Sequence, residues 1–195
     1  MAKEKFYQKS WFWVLAVVVI LGLWFFSSYN TLVRLDTESS RSWSDIQVQY
    51  QRRFDLIPNL VSTIKGYSGF EEKVLTDITA ARSRWQGAMS SGNTQEAISA
   101  AQSADAGLGR LIAVAENYPD LKASQTYLSL MDQLEGTENR ISVARERYNS
   151  ASTNYNYAIR RIPTNLVAKL SGMDVQKPLF EAAQGSAQAP KVSFQ

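Results

Sequence analysis

Two reactive side chains are missing from the sequence: among 195 residues there is neither cysteine nor histidine. The chain therefore has no disulfide, no thiolate nucleophile and no Cys/His zinc site. It also has no imidazole to act as a general base. A phosphate-binding loop is absent as well, and Gly107-Leu-Gly109 lacks the third glycine of a dinucleotide fingerprint. These absences predict a protein that is not an enzyme and that has no catalytic residue, no metal site and no cofactor.

A surplus of basic charge is also missing from most of the chain. The formal net charge is +3, but residues 1–29 contain three lysines and one glutamate. Residues 30–195 are left with 18 basic and 17 acidic side chains. Binding to nucleic acid depends on a basic surface that releases counterions, so the sequence predicts no nucleic-acid partner.

One long hydrophobic run is present near the N-terminus. Residues 11–26 read WFWVLAVVVILGLWFF, and residues 27–29 extend the run as Ser-Ser-Tyr. As a helix this stretch is roughly 24 to 29 Å long, close to the hydrocarbon thickness of a bilayer. Aromatic side chains at both ends resemble the belts found at membrane interfaces. The pattern predicts a transmembrane helix over residues 11–29, with the lipid bilayer as its partner.

Two other interpretations of this run stay open: a cleaved signal peptide and a buried helix of a soluble protein. The bulky residues 24–26 make a poor cleavage site, and few soluble helices are apolar on every face. Three lysines precede the run, whereas Arg34 and Arg41 follow it. This bias predicts a single-pass protein of the inner (cytoplasmic) membrane, with residues 1–10 inside and the rest on the extracytoplasmic side.

The remaining chain shows helical rather than strand periodicity, so we predict an all-α fold. An elongated antiparallel bundle of about four long helices would occupy residues 30–172, and an extended or flexible tail residues 173–195. The first helix is expected to continue from the membrane span. At Pro58 it is expected either to kink or to restart, with Asp55 near the new cap. Glycines at 66 and 69 indicate a bend, and residues 90–93 indicate a turn with Asn93 or Thr94 as the cap.

Heptad spacing predicts the later helices. One seam of small and apolar residues runs from Ala97 to Tyr118. The strongest seam repeats every seven residues from Tyr127 to Ile162, which predicts one helix over residues 119–162. Residues 163–170 are expected to form a short helix that ends at Ser171-Gly172. Such a packed bundle is expected to offer no evident cleft.

The densest polar group surrounds Pro58 and is the candidate partner-binding site. It comprises Arg52, Arg53, Asp55 and Asn59. The alternative is structural: Asp55 and Asn59 satisfy backbone groups near Pro58 while the arginines cover the surface. A row of acids at residues 132, 135 and 138 has the spacing of a hard-cation site, but the arginines that follow favour a salt-bridged helix surface.

Several motifs together resemble the LemA family of bacterial membrane proteins. They include YNTLV at 29–33, YQRRFDLIPNLV at 50–61, KGY at 65–67, TAAR at 79–82, ENYPDL at 116–121, YN at 148–149 and APKVSF at 189–194. The resemblance implies an N-terminal membrane helix followed by an extracytoplasmic bundle of long antiparallel helices. It supplies no active-site residues and no agreed biochemical function. Residues 68–70 depart from it, because relatives often have a small residue followed by histidine there.

Three functions are compatible with the sequence. The first is a non-enzymatic envelope protein that acts as a scaffold or adaptor, either with itself as a homo-oligomer or with another envelope membrane protein such as a protease. The second is an extracytoplasmic ligand-sensing module that signals through a partner membrane protein. The third, least favoured, is a metal- or carboxylate-dependent hydrolase.

Overall fold

The computed structural model describes residues 10–65 and 72–181, and this part of the chain is all-α, as predicted. It contains no strand. Six helices follow one another along the sequence: α1 (Ser10–Lys65), α2 (Glu72–Ser91), α3 (Thr94–Ala115), α4 (Pro119–Lys122), α5 (Gln125–Arg160) and α6 (Thr164–Leu170). The bend expected at residues 66–69 and most of the expected tail lie outside the described residues.

Helix α1 includes both the apolar run and the amphipathic segment that follows it, so the prediction that the span continues into the next helix is confirmed. A restart of the helix at Pro58 is wrong, because α1 continues through this residue, whereas a kink there stays a prediction. Proline removes one backbone hydrogen bond from the helix. Phe54, Ile57 and Leu60 flank it and are at most 1% exposed. Their packing holds the helix on both sides of Pro58.

The chain divides into two compact units, each built from separate segments. Among the described residues, we call residues 10–41 with 150–177 the anchor unit, and residues 42–65 and 72–149 with 178–181 the bundle unit. The core of the bundle unit contains the apolar seams of α1, α2, α3 and the first half of α5. The core of the anchor unit is smaller and consists of Leu32, Tyr155, Ile159, Val167 and Ala168.

Helices α2 and α3 form a tight antiparallel pair in the bundle unit. Gly92 has a φ of +69°, a conformation that favours glycine, and it allows the chain to reverse. The side chain of Asn93 then caps α3 by accepting a hydrogen bond from the Glu96 amide at 3.1 Å. The predicted turn and the Asn93 cap are therefore confirmed.

The predicted single helix over residues 119–162 is wrong at both ends. The chain forms the single turn α4, and α5 begins only at Gln125. Leu121 and Tyr127 are both buried, but Tyr127 lies six positions after Leu121 rather than seven. A heptad that continued from Leu121 would bury Leu128 seven positions later. Leu128 is 45% exposed, so the heptad does not run through this segment. At the other end α5 stops at Arg160, because Pro163 disfavours helical backbone in the residue before it. Ile162 therefore lies outside the helix and is 79% exposed.

The last described residues of the bundle unit pack along α5. Asn149 pairs with both backbone groups of Phe180: its side-chain nitrogen donates to the carbonyl oxygen at 2.8 Å, and its oxygen accepts from the amide at 2.9 Å. The hydroxyl of Tyr148 donates to the Pro178 carbonyl at 2.8 Å. Phe180 is thereby buried against Trp43, Tyr148 and Tyr50, which places this part of the expected tail on the bundle.

The apolar part of α1 lies near its N-terminal end. An 18-residue window there has a mean hydropathy of 2.1, and none of it is buried. By length and composition this helix is able to cross a membrane. A buried helix of a soluble protein would instead have this window covered by the rest of the fold.

Candidate functional site

Five side chains from three helices form one polar network, which we call the charge cluster: Tyr50 and Arg53 of α1, Asp105 of α3, and Glu138 and Arg145 of α5. Arg53 donates to Asp105 Oδ1 at 2.5 Å and also pairs with Glu138. Arg145 pairs with Asp105 Oδ2, to which the Tyr50 hydroxyl donates at 3.1 Å. The cluster therefore joins α1, α3 and α5 within the bundle unit.

Burial sets the electrostatics of the charge cluster. Arg53 is 3% exposed, and the arrangement places two guanidinium groups beside two carboxylates. Burial raises the pKa of Asp105 from 3.8 to about 7, although the guanidinium of Arg53 opposes this shift. Glu138 raises the pKa of Asp105 further by like-charge repulsion. Burial also lowers the pKa of Arg145.

Hydrogen bonding within the cluster is incomplete. The Nε atoms of Arg53 and Arg145 are buried without a hydrogen-bond partner. Arg145 compensates in part by stacking, because its guanidinium carbon lies 5.4 Å from the ring centre of Tyr50 and 5.1 Å from that of Phe180. The cluster thus contains buried cationic groups whose donors are not all used inside the protein.

A cleft of about 480 Å³ opens beside the charge cluster, which corrects the expectation of a bundle without a cleft. Its apolar wall comes from α3 and α5 and consists of Leu108, Gly109, Ile112, Met131 and Leu134. Its polar wall consists of Arg53, Asp105, Asp132, Glu135 and Glu138. With four carboxyl groups and one guanidinium, the polar wall is acidic. The cleft combines an apolar surface with an acidic rim.

The structure separates the four residues predicted to bind a partner. Arg53 lies in the charge cluster and on the wall of the cleft. Arg52, Asp55 and Asn59 are exposed on the other side of α1, where their three- and four-residue spacing places them on one stripe. Asp55 accepts a hydrogen bond from Gln51 at 2.8 Å. Partner binding at these residues stays a prediction.

The acidic row at residues 132, 135 and 138 lines the cleft. The expected salt bridging is present at Glu138, whose partner is Arg53 rather than one of the arginines that follow it in sequence. Within residues 10–65 and 72–181, no group of three or more acidic or histidine side chains is arranged to hold a metal ion.

Sequence reasoning missed Asp105 and Arg145. Asp105 directly follows Ala104 of the α3 seam, and Arg145 directly follows Ala144 of the α5 seam. A charged residue beside a seam of small residues lies near the helix interface, because the neighbouring alanine leaves room for it. This spacing was the available signal.

Comparison with known proteins identifies the family of this chain. The model of the LemA family matches residues 42–194, which is most of the chain. This chain belongs to the LemA family. Protein LemA of Metamycoplasma hominis is 28% identical over 164 residues, which cover 83% of this chain and 74% of the relative.

Magnetosome proteins are also similar to this family member. Magnetosome protein MamQ 2 of Paramagnetospirillum magneticum is 30% identical over 182 residues, and MamQ of Magnetospirillum gryphiswaldense is 28% identical over 167 residues. These matches cover 82% and 74% of this chain. The chain spans 66% and 61% of the length of the two relatives. Family membership and the exposed apolar end of α1 together indicate a membrane-associated protein.

Proposed function

We propose that this LemA-family chain is a non-enzymatic, membrane-anchored envelope protein that acts by associating with another protein through the cleft. The observation that carries the proposal is the cleft between α3 and α5, with its apolar wall and acidic rim. The anchor would cross the inner membrane with its N-terminus inside, so that the bundle unit meets its partners on the extracytoplasmic side.

The chemistry of the cleft favours a particular kind of partner segment. Ile112 is 39% exposed on the wall, a position where a partner's apolar side chain would be removed from water. Burying such a side chain contributes about 1.5–3 kcal/mol. Asp132 and Glu135 are exposed at the rim, where they would attract lysine or arginine. A helix or loop with apolar residues and flanking basic residues fits both features.

Photocrosslinking in intact membranes tests this association. A photoreactive benzoylphenylalanine at position 112 should give a discrete crosslinked product whose partner is identified by mass spectrometry. The matched control places the same group at position 128, because Leu128 is similarly exposed at 45% but lies outside the cleft. A product of twice the chain's mass would identify a second copy as the partner. Equal products from both positions would contradict a role for the cleft.

A second candidate function is sensing of a small ligand in the same cleft. Its volume lies within the usual range for small-molecule sites of roughly 300 to 1,000 Å³. In addition, Asp105 on the wall has its pKa raised to about 7, so its charge would respond to a bound cation. An amphipathic amine would match the apolar and acidic walls.

Thermal unfolding of the detergent-solubilised full chain with alkylammonium ions of increasing chain length tests this alternative. The unfolding temperature should rise with alkyl length if the amines bind the cleft. Ile112→Asn should reduce the rise, whereas Leu128→Asn should preserve it. A rise that is the same in both variants would reject binding in the cleft, and no rise at all would reject this ligand class.

A further inference from the structure

The register of the helices in the anchor unit places α6 close to the end of the membrane span. The hydroxyls of Ser39 and Ser152 form a hydrogen bond of 2.8 Å, and Leu32 shares a core with Ile159. This part of α5 is therefore antiparallel to α1 and runs toward the membrane span. Phe25, in the last apolar turn of the span, packs against the same core.

Two residues of α6 complete this core. Val167 and Ala168 are at most 1% exposed and belong to the cluster that Phe25 contacts. One face of α6 thus packs beside the point where the apolar run of α1 ends. At about 1.5 Å per residue, Phe25 and Leu32 are separated by only about 10 Å along the helix. Helix α6 therefore lies beside the end of the apolar run of α1.

The exposed surface where α5 ends and α6 follows is rich in apolar side chains. Ile162 and Leu170 are each 79% exposed, and Leu166 is 57% exposed. A surface helix in water normally has polar residues opposite its buried face. Here both the inner face and much of the outer face of α6 are apolar.

The same surface also carries basic side chains. Arg160, Arg161 and Lys169 are exposed, and residues 157–172 contain no acidic residue. Exposed apolar side chains among lysine and arginine are characteristic of segments that lie in a membrane interface and bind anionic lipids. We call these six residues the interface patch: Arg160, Arg161, Ile162, Leu166, Lys169 and Leu170.

We propose that the interface patch binds the surface of an anionic bilayer and gives the chain a second attachment beside its span. Leu166, Leu170 and Ile162 enter the headgroup layer, while the three basic residues pair with lipid phosphates. The occupant is a lipid surface because the chain's own span enters the bilayer next to the patch and because the charge of the patch is complementary to anionic lipid.

Lipid-borne quenching of a site-specific fluorophore tests this proposal. Because the chain has no cysteine, single cysteines at Leu166 and Leu170 label uniquely. The labelled full chain is reconstituted in vesicles of phosphatidylcholine with about one third phosphatidylglycerol, with part of the lipid brominated. The matched control is Thr153→Cys, which is exposed in the same unit beside Ser152. The control lies farther from the membrane span than the patch does. Its neighbour Ser152 bonds to Ser39, which is 14 residues beyond Phe25, or about 21 Å along α1.

Brominated lipid should quench labels at positions 166 and 170 several-fold more than the label at position 153. Substituting Arg160, Arg161 and Lys169 together by glutamine should reduce this quenching toward the control value. Circular dichroism should show unchanged helix content in every variant, because all the substituted residues are exposed.

Equal quenching at positions 166 and 153 would overturn the proposal. A label at position 166 that is shielded from water but not quenched by lipid would also overturn it, and would assign the patch to a second copy of the chain. Quenching that survives loss of the three basic residues would refute the recognition of anionic lipid.

Discussion

Arg53 of α1 donates a hydrogen bond to Asp105 of α3 at 2.5 Å, and the arginine side chain is only 3% exposed. The neighbouring Arg52 is exposed on the same helix and is not one of the five residues of the charge cluster. Removing one partner of a buried ion pair leaves an uncompensated charge, which costs far more than losing an exposed charge. The two adjacent arginines are therefore a matched pair for mutation.

Arg53→Ala should lower the free energy of unfolding by about 1–3 kcal/mol, because Asp105 and Glu138 lose their shared hydrogen-bonded cation while Asp105 keeps Arg145. Arg52→Ala should change it by no more than about 0.5 kcal/mol. Denaturant unfolding of the full chain in detergent micelles measures both. Similar values for the two variants would contradict the structural role of Arg53.

The raised pKa of Asp105 predicts how stability depends on pH. Since the pKa is 3.8 before folding and about 7 after, the folded chain binds this proton more tightly than the unfolded chain. The contribution is complete below the unfolded pKa and is lost as the pH rises through 7. The free energy of unfolding of the wild type should therefore decrease from about pH 5 to about pH 8.

Asp105→Asn is the control for this pH dependence and should have a flatter profile over the same range. The absence of histidine helps, because no imidazole titrates in this window. If the stability of the wild type rose with pH relative to Asp105→Asn, the two arginines would dominate over burial and the raised pKa would be wrong.

Gly107 and Gly109 should respond oppositely to substitution by alanine. A Cβ atom at Gly107 would lie 2.8 Å from Cγ1 of the buried Ile78, whereas a Cβ at Gly109 would meet nothing within 4 Å. Gly109→Ala should stabilise α3 by about 0.5–1 kcal/mol through helix propensity. Gly107→Ala should be less stable than wild type, because overpacking costs about 1–3 kcal/mol. Thermal unfolding that ranks the two variants the other way would refute the close contact between α2 and α3.

Asn149 should hold Phe180 on the bundle unit through its two backbone hydrogen bonds. Asn149→Ala removes both, so amide hydrogen exchange at Phe180 should accelerate at least tenfold, which corresponds to about 1.4 kcal/mol. Asn154→Ala is the control, because Asn154 is exposed on α5 and contacts neither backbone group. Unchanged exchange in Asn149→Ala would show that aromatic packing alone holds Phe180.

Periodicity made much of the fold predictable. Ile46, Tyr50, Phe54 and Ile57 repeat at three- and four-residue steps, and all are buried as expected. The break between α4 and α5 was missed because the heptad after Tyr127 is so regular. The six-residue interval from Leu121 to Tyr127 was the local signal for a change of helix.

The charge cluster was only partly predictable. Arg53 lies three residues after Tyr50 and four before Ile57, so helical phase alone places it on the buried face of α1. Its partners lie 52 and 85 residues farther along the chain, and local periodicity does not pair residues across helices. The cleft was unpredictable for a similar reason, since it depends on how the side chains of α3 and α5 meet.

Association through the cleft is tested most directly by comparing two asparagine substitutions at similarly exposed apolar residues. Once the crosslinked partner is known, its affinity is measured for the wild type, Ile112→Asn and Leu128→Asn in the same detergent. Loss of one buried apolar contact should weaken binding at least about tenfold for Ile112→Asn, while Leu128→Asn should bind like the wild type. Equal affinities for the two variants would contradict association through the cleft.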